Sequence, residues 1–391
     1  MATFTDVFSL EDSAIPEPDE LSEAIYKSTR LGYLFSANED GEPSNVEGHQ
    51  EEIQTQNRVD IRPPSEAKPE PETNAESEPQ ASNWRLLRVL ANAHSGWVRS
   101  VTVDPVTNDW FVTGSSDSTI KIWDLASSAL KATITGHVMG VRALAVSKKF
   151  PYLFSGSEDR TVRCWDLEKT NSSSGSQIRD YHGHVGGVYA VSLHPELDLL
   201  VTGGKDQVVR VWDIRTRAQA MVLTGHRNDI TSIATASVDP QVITSSMDGT
   251  IRLWDLRNQR SYLTLTQHSK SIRSMQMHPT EMTACSADSS GNFKQWLLPG
   301  GDLLNEFGES GQDKIVNTLA IEPNSNTLFA GYDNGAMEFY DYVSGSLVQT
   351  THTTPAPGSS NSSIYASTFD MSGLRLLTCE GDKCIKVWGE E

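Results

Sequence analysis

The chain has 391 residues, enough for one large domain with an appendage, and a formal charge of −19. Non-specific nucleic-acid binding needs a basic face that displaces counterions, so this balance argues against it as the main activity, though a local basic patch stays open. Four scattered cysteines, Cys164, Cys285, Cys379 and Cys384, are too few for a secreted disulfide scaffold and predict reduced thiols inside a cell.

From the first residue, MATFTDVFSLED has neither the basic nor the apolar stretch of a signal peptide. No apolar run reaches the roughly 18 residues a membrane helix needs, so no membrane association is expected. Residues 1–83 hold 19 acids against 5 bases, whereas residues 84–391 hold 32 acids and 27 bases. Eight of the 17 prolines precede Trp84, and all nine tryptophans stand at or after it. The stretch from Glu66 to Ser82 is Pro, Glu and Ser with almost nothing apolar, so residues 1–83 read as an acidic, largely disordered tail. One island interrupts it. Leu21, Ile25, Leu31 and Phe35 allow a short docking helix near residues 17–35, and the alternative is a chance apolar cluster.

From Trp84 onward the chain repeats. Trp-Asp pairs begin at Trp123, Trp165, Trp212 and Trp254, and Trp296, Tyr340 and Trp388 continue the series at intervals of 42, 47, 42, 42, 44 and 48 residues. In the four full repeats a His stands 28 or 29 residues before the Trp: His94, His137, His184 and His226. An Asp stands six before it, at Asp117, Asp159, Asp206 and Asp248, and a hydroxyl four before the Asp, at Thr113, Ser155, Thr202 and Thr244. TIKIW, TVRCW, VVRVW and TIRLW alternate as half-buried strands do, and SSDST and SMDGT are turn chemistry. Each unit of about 42 residues reads as four short antiparallel strands, one propeller blade. This pattern is identified as that of the WD-repeat family, which implies an all-β, seven-bladed propeller over residues 84–391.

The last unit ends at its third strand, three residues after Trp388. An open sheet edge there would be a liability, and Arg85 to Leu90 (RLLRVL) reads as the strand that fills it and closes the ring. The recurring His, Ser/Thr, Asp and Trp resemble the family's structural tetrads. A buried indole N–H needs an acceptor, which the hydroxyl can be; the His can donate to the hydroxyl, and the turn Asp can hold the His. The same three polar residues suggest a hydrolase triad, but four copies at one spacing are architecture, and a nucleophile needs one exposed copy. No phosphate loop, nucleophile elbow or Cys pair with metal spacing is found, so neither catalysis, metal nor cofactor is expected. Later units decay. Repeat five keeps His268 and Trp296, with Asp288 out of step and either Ala284 or Ser286 in the hydroxyl place. Repeat six has no His and carries Tyr340. Repeat seven keeps Thr378, Asp382 and Trp388 with Ser360 in the His place. Blades five to seven are therefore expected to lean on neighbour packing.

Counting five residues past the His positions reaches Arg99, Arg142, Tyr189, Thr231 and Arg273, and Trp97 stands three past His94. Trp97, Arg99, Arg142, Tyr189 and Arg273 are the candidate partner-binding residues on one rim, being the types that dominate interface hot spots. The competing account is a solvated rim with arginine stems packed on neighbours. Two longer insertions, Lys169 to Ser176 and His352 to Ser363, are expected to be surface loops.

Long stretches such as HSGWVRSVTVDP, PYLFSGSEDRTVRCWDLE, HPELDLLVTGGKDQVVRVWDIRT, AGYDNGAMEFYDY and GLRLLTCEGDKCIKVW resemble the pleiotropic-regulator family of splicing factors. The resemblance implies a nuclear, non-catalytic scaffold subunit of the NineTeen Complex in the spliceosome, holding other splicing proteins around the RNA core, with snRNA contact secondary and no small-molecule substrate. A cytoplasmic pool stays open. Trp212 to Arg215 and Trp254 to Arg257 also match the W-D-x-R pattern of cullin-ligase substrate receptors, the alternative class.

Overall fold

The computed structural model describes residues 83–390, apart from 171–175, 309–313, 325 and 360. The docking helix expected near 17–35, with Leu21, Ile25, Leu31 and Phe35, lies outside the described residues, as does the acidic tail up to residue 82.

The described chain is all strand and turn: 28 strands in seven four-stranded antiparallel sheets. The innermost strands are Val98–Val103, Val141–Val146, Val188–Leu193, Ile230–Thr235, Ile272–Met277, Val316–Ile321 and Ile364–Phe369, which open blades one to seven. In blade one, Trp110–Ser115, Ile120–Asp124 and Leu130–Ile134 follow outward, and the other blades repeat this order. The second strand of a blade is buried on both faces, as in Trp110–Ser115 (WFVTGS), so it reads as a continuous small and apolar run. The third strand alternates: Ile120 and Ile122 are buried and Lys121 half-buried.

No blade can cover its own faces. Seven apolar clusters form, each shared by two neighbouring blades. Trp165 of blade two, for example, packs with Val112, Ile120 and Ile134 of blade one. The blades approach closely where a glycine allows it. A Cβ at Gly114 would stand 2.8 Å from Val141 Cγ1 of the next blade. The seventh cluster joins Leu377, Cys379, Ile385 and Val387 of blade seven to Val98, Phe111 and Trp123 of blade one, so the ring is closed. Closure uses the strand Trp84–Leu90, one residue longer than expected, which pairs with Ile385–Glu390 from Trp84 opposite Glu390 to Leu90 opposite Ile385.

Each inner strand carries a bulge at its second residue. In blade one the register shifts between Val98 and Ser100, leaving Arg99 outside the ladder; the same shift leaves out Arg142, Tyr189, Thr231, Arg273, Asn317 and Tyr365 in blades two to seven. A bulge turns a side chain out of the regular alternation, and here it happens at the same height in all seven blades.

Candidate functional site

The recurring polar residues meet in each of the first four blades. In blade one, Trp123 Nε1 donates to Thr113 Oγ1 at 2.9 Å, His94 Nε2 lies 2.9 Å from the same oxygen, and His94 Nδ1 lies 3.1 Å from Asp117. Ser155, His137 and Asp159 serve Trp165 in blade two, with the corresponding sets at Trp212 and Trp254. The direction of the middle bond differs from the expectation. A carboxylate only accepts, so Nδ1 carries the single proton of a neutral ring, and Nε2 then accepts from the hydroxyl. The bonds run one way, from indole to hydroxyl to imidazole to carboxylate.

The carboxyls record the same arrangement. Burial alone would raise them, but bonds from the histidine and from nearby hydroxyl and backbone donors hold Asp117, Asp159, Asp206 and Asp248 below the usual range, and Asp288 at about 2. A depressed folded value contributes stability that is fully present above the unfolded value, about 3.9, and is lost as pH falls through the folded one. The unfolding midpoint should fall steeply below about pH 4, with Asp159→Asn flattening that acid limb. A wild-type profile level down to about pH 2 contradicts the assignment.

Blades five to seven differ from the expected loss of polar support. In blade five the hydroxyl is Ser286: it accepts from Trp296 Nε1 at 2.7 Å and lies 2.7 Å from His268 Nε2, while Asp288 still reaches His268 at 3.4 Å. Asp288 stands two residues beyond the hydroxyl, where blades one to four have Ser115, Ser157, Gly204 and Ser246. Tyr332 and Glu380 fill that place in blades six and seven, and each meets the residue two before the ring residue. Glu338 accepts from Tyr332, from Tyr340 at 2.7 Å and from Lys314 at 2.8 Å. Glu380 is paired with Lys386 at 2.6 Å, and Thr353 donates to it at 2.7 Å. Trp388 still donates to Thr378 at 2.9 Å, and Asp382 accepts from the backbone of Ala356 at 2.9 Å. Ser360 lies outside the described residues. The networks therefore move between strands two and three; they do not vanish. Cys379 and Cys384 are free and buried, as are Cys164 and Cys285.

The seven bulge residues converge on one channel mouth. Arg99, Arg142, Tyr189, Thr231, Arg273, Asn317 and Tyr365, with Met247, line a cavity of about 220 Å³. The Arg99 guanidinium lies beside two rings, 5.0 Å from the centre of Trp97 and 4.6 Å from that of Tyr365. Arg142 lies 4.5 Å over Tyr189, with its Nε 3.1 Å from Glu158. Thr231 is 3.0 Å from Ser245, and Asn317 donates to Asp333 at 3.2 Å. Trp97 is 44 % exposed although it contacts both Arg99 and Tyr365. Burial and then the charge of Arg142 lower Arg99 below the ordinary arginine value. Asn317 and Tyr365 escape a count that starts from the histidines, since neither stands five residues after one. The signal that finds them is the second residue of each apolar-led inner strand. Arg215 and Arg257 are exposed and stand at the opposite end of the blades. Their backbone N–H groups donate to Asp213 and Asp255 at 2.8 Å each, so the W-D-x-R spacing has a turn as its local cause.

The described sequence matches the WD domain, G-beta repeat, at residues 84–124, 128–166 and 348–389, and the Nucleolar protein 10-like, N-terminal domain at 169–340. The pre-mRNA-splicing factor PRP46 of Debaryomyces hansenii is 65% identical over 405 residues, covering 100% of this chain and 95% of that protein. The chain belongs to the PRP46 family. The PRP46 of Candida albicans is 56% identical over 99% of this chain and 98% of its own length. The protein pleiotropic regulator PRL2 of Arabidopsis thaliana is 46% identical over 310 residues, 79% of this chain and 62% of that protein. Membership of the PRP46 family agrees with the resemblance read from the blade motifs.

Proposed function

We propose that this chain is a nuclear, non-catalytic scaffold subunit of the spliceosome, associated with the NineTeen Complex and required for pre-mRNA splicing, that holds protein partners at its channel mouth. The observation that carries the splicing role is the identity of 65% and 56% along essentially the whole chain to proteins named pre-mRNA-splicing factors. The scaffold role is supported by what the fold presents. Its recurring polar residues are consumed in holding blades together, while exposed Trp97 and the mouth arginines are the residue types that anchor interfaces. Any snRNA contact is secondary on this reading, and no cofactor or small-molecule substrate is required.

The test is affinity purification of the tagged full chain against a Trp97→Ala, Arg142→Glu variant. The wild type should recover splicing proteins with U2, U5 and U6 snRNA and no cullin adaptor. The variant should melt like the wild type and lose at least one protein partner, with affinity weakened by about 30-fold or more, the effect of one hot-spot residue. A folded variant that keeps every partner overturns the rim assignment. Recovery of the adaptor without splicing proteins overturns the splicing role.

A further inference from the structure

The mouth has a chemistry that the scaffold role does not specify. Three guanidinium groups, Arg99, Arg142 and Arg273, project into a space of about 220 Å³. Among the described residues, Arg142 alone of the three has an acid within ion-pair distance, Glu158. Another rim acid, Asp333, accepts from Asn317. Among the described residues, neither Arg99 nor Arg273 forms an ion pair, and the Nε of each is buried without a partner. Nε atoms of Arg163, Arg210 and Arg252 are also unpartnered, but each of those residues donates through Nη1, to Gln177, Gln219 and Ser261 respectively. Among the described residues, Arg99 and Arg273 have no such outlet.

Stacking sets what these groups can offer. A guanidinium that lies on an aromatic ring uses its face, and its N–H donors all lie in its own plane. Trp97 and Tyr365 hold Arg99 this way, and Tyr189 holds Arg142. The aromatic rings thus orient cations without neutralising them, and like charge accumulates where water is partly excluded. Such a site gains most from an oxyanion, which accepts several charge-assisted hydrogen bonds at once.

We propose that the channel mouth binds a single oxyanionic side chain of a partner protein, a carboxylate or a phosphate monoester, carried on a peptide segment laid across the rim. This rests on the mouth being the partner surface. Size favours one side chain, because the mouth is a cavity of only about 220 Å³. Charge favours a peptide over RNA. A nucleic-acid backbone needs a continued basic track, and here Glu158 and Asp333 flank the mouth of a propeller holding 32 acids and 27 bases.

The full chain is titrated by calorimetry with three nonapeptides identical except for a central phosphoserine, glutamate or serine, and with a ten-nucleotide oligouridine. The phosphoserine or the glutamate peptide should bind at least about tenfold tighter than the serine peptide. Which of the two does so identifies the source of the oxyanion. Arg99→Gln and Arg273→Gln should each abolish the preference, while Arg215→Gln, at the far end of the blades, should leave it intact. Melting curves establish that the variants are folded, and either rim variant alone suffices for the comparison. Equal binding of the three peptides overturns the proposal, as does a preference that survives both rim substitutions. Oligouridine binding that depends on Arg99 and Arg273 in the absence of a peptide preference replaces it with a nucleic-acid surface. If the peptides fail while the Trp97→Ala, Arg142→Glu variant still sheds partners, the oxyanion site falls and the partner surface stands.

Discussion

Trp84→Ala should destabilise the propeller by about 3–5 kcal/mol, the cost of emptying a large buried aromatic site. Trp84 opens the closing strand, is 2% exposed, and stacks 5.5 Å from Phe339 of blade six at an interplanar angle of 5°. Phe369 of blade seven meets it edge-on, also at 5.5 Å. Gln349 holds its backbone from both sides, accepting from Trp84 N at 2.8 Å and donating to Trp84 O at 3.0 Å. The residue therefore ties the closing strand to two blades at once. The substitution should lower the thermal midpoint by roughly 5–10 °C, with Leu374→Ala, an exposed apolar control, within about 1 °C of wild type. A chain beginning at residue 91 lacks the strand altogether and should run as aggregate on gel filtration, because Ile385–Glu390 is then an unpaired edge. A monomeric, cooperatively melting product from that chain would disprove the closure argument.

Lys386→Met should cost about 3–5 kcal/mol, and the cause is the buried acid it leaves without a partner. Lys386 and Glu380 face each other across adjacent strands of blade seven with side-chain exposures of 2% and 0%. Lys386 also donates to Thr354 O at 2.7 Å. Burial pushes the Glu380 carboxyl up to about 7 even beside Lys386, so removing the cation leaves a buried acid that must take up a proton, and removing both partners does not. The Lys386→Met, Glu380→Leu pair should therefore recover at least half of the lost stability in a urea titration. A double variant as unstable as the sum of the singles would mean that the two residues act independently, contrary to the geometry.

Much of this was legible along the chain. The interval between ring residues sets the blade count, and a His, hydroxyl, Asp and Trp at one spacing lie within a single blade and its entry loop. Such contacts span fewer than about 30 residues, so a local pattern predicts them. Blade five shows where the pattern fails. Whether Ala284 or Ser286 takes the hydroxyl place depends on strand register, and register appears only once Ala284 is seen opposite Trp296. With Asp288 displaced by two residues, the spacing rule points to the wrong partner, while the folded strand brings Ser286 and Asp288 to the same histidine.

The amino-acid sequence by itself determined the seven-bladed ring, the strand that closes it and the polar set that pins each of the first four blades, because each follows from a repeat no longer than one blade. Counting from the histidines already sets Arg99, Arg142, Tyr189 and Arg273 on one rim; only the tertiary structure added Asn317 and Tyr365 and showed that all of them line one cavity. Those two residues follow no histidine, and each is turned out of its strand's alternation by a bulge that only the strand register reveals. The same holds for the buried pair in blade seven: Lys386 and Glu380 look like surface charges until the neighbouring blades remove the water around them.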